Sequence, residues 1–503
     1  MTTSKKLRGC DTCPKVPSAP RGGEVAARGW WVMAGPATGG GKGRGFLKEL
    51  FDQFARECAV TVMVRATLEH ALSADALDEL FAERAERGYT RELLFSALVG
   101  LMVVVVCRVR RSIHAAYRAM ARQLGVSIRA VYDKLNRLEP QVAAGLVRYS
   151  AERLAPVIRK MGGALEPLLP GYRLKILDGN HLAATERRLK VLRGSKAGPL
   201  PGQCLVVLDP SLMLAIDVVP CEDGHAQERS LLDRVIELVC PGDLWMADRN
   251  FCTLSFLFGI VMRKAFFIVR HHAGLAWRPL GPRRAVGRVE TGKVYEQAVA
   301  VPREGGPILR LRRITLVLDR STRDGHAELH ILTNLPERDA PARQIAELYR
   351  ERWRVETLFA ELERNLQGEI DTLGYPKAAL FAFCTALLAY NVLSTARAAL
   401  RAQHGAERIE REVSSYYLAD ELSGNYRGMM VALPAAGWTE FQVMTPARLA
   451  AFLVRLAANV PLWAYRKSPR GPKLARRRTR YARHTHVSTA RLLAAQRRRR
   501  SRS

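Results

Sequence analysis

Tyr349-Arg350-Glu351-Arg352-Trp353-Arg354-Val355-Glu356, running on to Asn365, decides how this chain is read. At about 100° per residue, a helix places positions 349, 352, 356 and 363 within roughly 60° of arc. One tyrosine, one arginine and one carboxylate therefore share a stripe. Ile345, Leu348, Val355, Leu358, Leu362 and Leu366 form an apolar stripe beside it. A helix of this pattern can dock on a core and present a carboxylate, a potential metal ligand, next to an arginine able to contact phosphate.

Upstream of this helix, which Pro341 opens, residues 272–336 read as all-β. Val294 to Val301, Ile308 to Leu318 and Ala327 to Leu332 are rich in Val, Ile and Leu, and Arg323-Asp324-Gly325 is a turn signal. Further upstream, Arg173 to Leu177 is a short strand ending at Asp178. Gln203 to Leu208 and Met213 to Val219 are strands joined by Asp209-Pro210-Ser211, and Glu228 to Val239 is an amphipathic helix. Leu244 to Ala247 is a strand ending at Asp248, and Ala265 to Arg270 is a fifth. This succession predicts a mixed α/β domain.

The stretch from Phe46 to Met161 is helical throughout. Within it, Ala121-Arg122-Gln123-Leu124-Gly125-Val126-Ser127 followed by Ala130-Val131-Tyr132 has the pattern of a helix-turn-helix. Gly125 supplies the φ > 0 position and Ser127 caps the second helix, whose polar face carries Arg129, Lys134 and Arg137 for DNA contact. An ordinary basic helical pair has the same pattern. Downstream, Ala378 to Leu400 is a second apolar helix, interrupted by Tyr390, Asn391 and Arg397, and the chain stays mostly helical to Trp463.

At 503 residues the chain has room for two or three domains. Its net charge of +31 favours a polyanionic partner. Residues 466–503 hold fifteen Lys/Arg and no Asp/Glu, about half of the excess. The longest apolar run, Leu93 to Cys107, is shorter than the ~20 residues of a spanning helix, so no membrane partner is expected. The N-terminus has no apolar signal core, and nine scattered cysteines suit reduced thiols in a cytoplasm. The Cys10/Cys13 pair lacks a second ligand pair at zinc-finger spacing and reads as incidental. Residues 1–44 read as a disordered basic N-terminus, with Met33 an alternative start.

Taken singly, an aspartate after a strand is often a turn residue or cap, and Glu356 is often an ion-pair partner of Arg352. As a set, Asp178, Asp248 and Glu356 sit on three elements of one sheet domain and can converge at its edge. Three carboxylates there suit two Mg²⁺ or Mn²⁺ ions ~3.5–4 Å apart, the arrangement for in-line phosphoryl displacement.

Ile176-Leu177-Asp178-Gly179-Asn180-His181-Leu182, Met246-Ala247-Asp248-Arg249-Asn250-Phe251 and the Tyr349/Arg352/Glu356 helix resemble the DDE transposases of the insertion sequence 4 family. The resemblance runs from about residue 90 to the tail. It implies a ribonuclease-H-like catalytic domain at 170–271 and 337–400, with a β-rich insertion at 272–336. A helical DNA-binding domain at 45–165 would precede it, with helices at 401–465 and a disordered basic tail at 466–503 following.

By the same resemblance, Asp178, Asp248 and Glu356 are the catalytic metal ligands, and Tyr349 and Arg352 contact phosphates. Trp277 sits where an aromatic can stack on a flipped base, although a core or surface role fits it too. His181 and His225 are left structural. The family helix carries a lysine seven residues after its glutamate, where this chain has Glu363. Arg364 lies about 100° further round. Either Arg364 takes the contact, or strand binding is weakened, or this copy is impaired.

The implied activity is cut-and-paste transposition by a homodimer or larger multimer. It would act on double-stranded DNA, the terminal inverted repeats and the target, in a bacterial cytoplasm at the nucleoid. A nuclease that cleaves without joining uses the same acids. A non-catalytic DNA-binding protein would use only the helix-turn-helix and the tail.

Overall fold

The computed structural model describes residues 42–86, 92–183, 185–186, 189–193, 197–322, 325–468 and 486–501. Cys10, Cys13, Met33, nearly all of the basic N-terminus, Arg323-Asp324 and residues 469–485 and 502–503 of the tail lie outside the described residues. The helices are α1 (Lys42–Glu57), α2 (Ala59–Ala71), α3 (Ala74–Arg84), α4 (Phe95–Val106), α5 (Ile113–Leu124), α6 (Ile128–Arg137), α7 (Pro140–Met161), α8 (Leu232–Ile236), α9 (Leu254–Met262), α10 (Ala342–Leu348), α11 (Trp353–Arg364), α12 (Pro376–His404), α13 (Ala406–Glu412), α14 (Ser415–Ala432), α15 (Glu440–Val443), α16 (Pro446–Ala457) and α17 (Thr489–Arg500). The strands are β1 (Arg173–Leu182), β2 (Gly198–Leu200), β3 (Gly202–Asp209), β4 (Leu214–Cys221), β5 (Asp243–Ala247), β6 (Phe266–Arg270), β7 (Arg278–Pro279), β8 (Arg284–Val289), β9 (Gly292–Val301), β10 (Leu309–Leu318), β11 (Glu328–Thr333) and β12 (His486–Ser488).

The frame is a ten-stranded sheet in the order β4-β3-β1-β5-β6-β11-β10-β9-β7, with β8 pairing β9. β1 is antiparallel to β3 and parallel to β5, and β5 is parallel to β6. The chain is thus a mixed α/β protein. β1 does not stop at Leu177 as its apolar run suggests. β3 continues to pair it as far as Leu182, opposite Gly202. The β-rich stretch is likewise no separate module. β11 pairs antiparallel with β6 and carries the same sheet onward, with Ile331 and Leu332 alternating into the two opposite cores.

Alternation along the central strands explains the layers. Ile176 and Met246 point into one core with α2, α4, α7 and α12, while Leu177, Trp245 and Ala247 point into a smaller core under α8 and α9. The N-terminal helices and the sheet therefore share one core. In α12, Asn391 is buried yet satisfied: its amide joins the backbone of Ala215 on β4 and the Ser150 hydroxyl on α7. Among the described residues α12 alone is long and apolar enough to cross a membrane, and 94% of its apolar window is buried inside the protein.

The helix-turn-helix forms as its sequence dictates. Gly125 ends α5 with φ +64°, and the Ser127 hydroxyl accepts the Ala130 amide at 3.2 Å. Two expected elements differ. Glu228–Leu231 is a 3₁₀ turn, leaving only Leu232–Ile236 of the expected longer helix, and the Glu228 side chain is held by Asn250. Part of the tail expected to be disordered is ordered. Residues 486–500 form β12 and α17, and β12 pairs in parallel with β2.

Candidate active site

Leu177 of β1 lies opposite Ala247 of β5, so the next residue of each, Asp178 and Asp248, lie on neighbouring chains at the same level. Adjacent strands run about 4.8 Å apart. Residues two earlier, Ile176 and Met246, face the larger core, the face on which α11 packs through Val355, Leu358 and Leu362. Alternation therefore turns both aspartates toward α11.

The helix after Pro341 is not continuous. Between α10 and α11, Tyr349–Arg352 is a 3₁₀ turn. At three residues per turn, positions i and i+3 eclipse, which aligns Tyr349 and Arg352 more closely than an α-helix does. The Tyr349 hydroxyl donates to Asp248 Oδ1 at 3.5 Å. Arg352 donates to Asp178 Oδ2 at 3.0 Å and to Glu356 Oε1 at 2.5 Å. One turn thus ties all three carboxylates together. Arg364 is not brought to them; it faces another cleft beside Thr357, Tyr390 and Arg397.

Burial raises the Asp178 pKa to about 6. Arg352 and the Gly179 amide pull it down, while the charges of Glu356 and Glu228 push it up. Burial and the Asp248 charge also push the Tyr349 phenol well above its ordinary range, so it stays a proton donor. Among the described residues no three His, Cys, Asp or Glu side chains stand close enough to enclose a metal ion. The Arg352 guanidinium occupies the place between Asp178 and Glu356. The donor set nonetheless fits a hard divalent cation. It offers carboxylate oxygens from three residues gathered by one turn, the hard ligands that such a cation takes.

Glu228 is the residue that sequence reasoning missed. An added Cβ on Gly179 would lie 1.9 Å from Glu228 Oε1. Asn250 donates to its other oxygen, and Arg229 Nε donates to the Asn250 carbonyl at 2.9 Å. The turn after Asp248 is therefore clamped by the turn that carries Glu228. The signal was the glycine directly after Asp178, a position where another side chain makes a close approach. Gly179→Ala is expected to displace Glu228 and destabilise the fold by about 1–3 kcal/mol, read by denaturant unfolding. Wild-type stability would show that Glu228 yields freely.

Asp178, Glu228 and Asp248 open on a cleft of about 840 Å³ lined also by Arg249, Arg270, His271, Trp277, Arg313 and His330. Trp277 is half-buried, with the Arg313 guanidinium 4.5 Å over its ring and His271 edge-on. Burial and Arg313 lower the pKa of His330 to about 4 and lower that of His271 too, so both imidazoles are neutral at pH 7. His181 and His225 are exposed and lie off this cleft. On the other side of Glu356, Arg108 and Arg111 line a second cleft with Glu363, and Arg108 donates to the carbonyls of Glu363 and Leu366. Trp353, on the turn beside Arg352, is 64% exposed.

The helix-turn-helix lies apart from the acids. Arg129 is exposed and only 3.9 Å from Asp133, and Arg137 is exposed. Lys134 is spent inside the protein: it donates to the Leu93 carbonyl and sits over the Phe81 ring.

No curated protein matches the chain. Among solved structures, a piggyBac transposase synaptic complex with hairpin DNA aligns at a TM-score of 0.35 and 10% identity, covering 80% of this chain and 86% of that one. Residues 170–392 match the family model described as transposase DDE domain, so the stretch that carries all three tied carboxylates is similar to that domain.

Proposed function

We propose that this protein is a DNA transposase, of the kind carried by bacterial insertion sequences of the insertion sequence 4 family. The observation that carries the reading is the Tyr349–Arg352 turn gathering Asp178, Asp248 and Glu356 within the matched stretch. The run β4-β3-β1-β5-β6, three antiparallel strands followed by two parallel ones, supports a ribonuclease-H-like catalytic domain. The partners are the terminal inverted repeats and target DNA, bound by a multimer.

Asp178, Asp248 and Glu356 would hold Mg²⁺ or Mn²⁺, two ions in the full site. Bound there, the ions supply charge neutralisation on the scissile phosphate and activation of the attacking oxygen. Tyr349 and Arg352 would orient the carboxylates and meet phosphate oxygens, the role for which a planar guanidinium is suited. In cleavage, water forms a bond to phosphorus as the bond to the 3′-oxygen breaks. In joining, the freed 3′-hydroxyl attacks a target phosphate in the same way.

Incubation with end-containing DNA and Mg²⁺ tests the reading. Cleavage with joined product supports it. Cleavage alone indicates a nuclease, and binding without cleavage a non-catalytic DNA-binding protein.

The Asp178 carboxyl gives a pH signature. Below its unfolded pKa of about 4, Asp178 is protonated in both states and contributes nothing. Between there and the folded value of about 6, the folded state holds the proton more tightly. Stability of the metal-free protein is therefore expected to fall by about 2–3 kcal/mol as pH rises through that window. Mg²⁺ affinity is expected to weaken as pH drops below about 6, where the proton competes. Calorimetric titrations at pH 5 and pH 7 read this, and equal affinities would remove Asp178 from the ligand set.

A further inference from the structure

We infer that the C-terminal segment is a docked DNA-binding arm, with α17 held beside α6 so that arginines of both helices grip one duplex backbone. This rests on the reading of the protein as one that binds DNA. It replaces the picture of a loose electrostatic tail.

The docking is specific. β12 pairs residue by residue with β2, nearly three hundred positions away: His486 with Gly198, Val487 with Pro199 and Ser488 with Leu200. Thr489 is fully buried and Ser488 nearly so. The Ser488 hydroxyl donates to Asp223 Oδ1 at 2.6 Å, and Arg491 Nε donates to Asp223 Oδ2 at 2.7 Å. Ser488 also caps α17 by accepting the Arg491 amide at 3.4 Å. An unplaced polybasic tail needs none of these contacts.

Docked this way, α17 faces α6 across a groove of about 780 Å³. Inside it, Lys134 and Lys377 are offset by Asp133, Glu139 and Glu222, so the groove interior attracts no polyanion strongly. The positive excess lies on the rim. Arg129 and Arg137 are exposed on α6, and Arg497, Arg498 and Arg499 are exposed at the end of α17. Among the described residues Arg497, Arg498 and Arg499 make no ion pair, whereas Arg491, nearer the dock, is used internally. Two basic edges separated by a near-neutral groove fit a phosphate backbone crossing both. They do not fit an anion bound in the groove itself.

The test is DNA binding by the full chain without divalent ions, using a short duplex of the sequence bordering the gene and one of random sequence, over a range of salt. The combined Arg497→Ala, Arg498→Ala and Arg499→Ala protein should lower the slope of log affinity against log salt by about 3. An unchanged slope overturns the arm. Asp223→Ser removes the acceptor for Ser488 and Arg491 while making the net charge more positive. The structure expects hydrogen exchange of residues 486–500 to lose its protection and affinity to fall despite the added charge. Equal or tighter binding with the tail released overturns the placement and leaves an unplaced anchor. Should Asp223→Ser leave the tail docked, Ser488→Pro, which breaks the strand pairing and the cap, is measured in its place. A wild-type protein that binds neither duplex overturns the DNA reading as a whole, an outcome distinct from failure of the arm alone.

Discussion

Asp248→Asn is expected to reduce cleavage of end-containing DNA by three orders of magnitude or more while leaving DNA affinity unchanged. The substitution keeps the shape of the side chain and its contact with the Tyr349 hydroxyl. It removes one negative charge from the set that would hold the cations. Metal assistance is worth several kcal/mol of transition-state stabilisation, and each ~1.4 kcal/mol is a factor of ten in rate. A single-turnover gel assay reads the loss. Cleavage at the wild-type rate would mean that Asp248 only anchors its turn.

Arg352→Met is expected to destabilise the metal-free protein by roughly 2–3 kcal/mol. Arg352 is buried to 9% exposure and is the ion-pair partner of both Asp178 and Glu356. Breaking a fully buried pair costs about 3–5 kcal/mol, and the figure here is lower because the Glu356 side chain is 36% exposed. Methionine fills similar volume, so the loss reports charge more than packing. Mg²⁺ should restore part of it, since a divalent cation can neutralise the same two carboxylates. Denaturant melts with and without Mg²⁺ make the comparison. If the substituted protein matches the wild type without metal, Arg352 is not the counter-ion.

The meeting of the three acids was legible in the sequence because they sit at positions that local rules mark. Asp178 and Asp248 follow apolar strands, and Glu356 stands one α-turn from Arg352. Gly125 and Ser127 marked the helix-turn-helix in the same local way. What local pattern could not reveal was set by distant partners. β1 runs past Asp178 because β3 pairs it. Glu228 reaches the site because Asn250 holds it. Lys134 looked like a DNA contact because the carbonyl of Leu93, 41 residues earlier, is invisible to helical periodicity. The 3₁₀ turn at Tyr349–Arg352 changed the angles but kept the neighbours, so the stripe drawn at 100° per residue still grouped Tyr349, Arg352 and Glu356, while Glu363 falls in the second cleft.

The continuity of the sheet has a consequence for how this gene can change. β6, Phe266–Arg270, has β5 on one side and β11 on the other. Excising residues 272–336 would strip β11 away and leave a short, apolar, unpaired edge next to the strand that ends at Asp248. Exposed edges of that kind recruit other chains. The β-rich stretch can therefore vary most readily at β7, a two-residue strand exposed on its outer margin, whereas β8 buries Val289 in the larger core. β11 is structurally indispensable, so a trimmed variant that folds must retain it or supply another strand in its place.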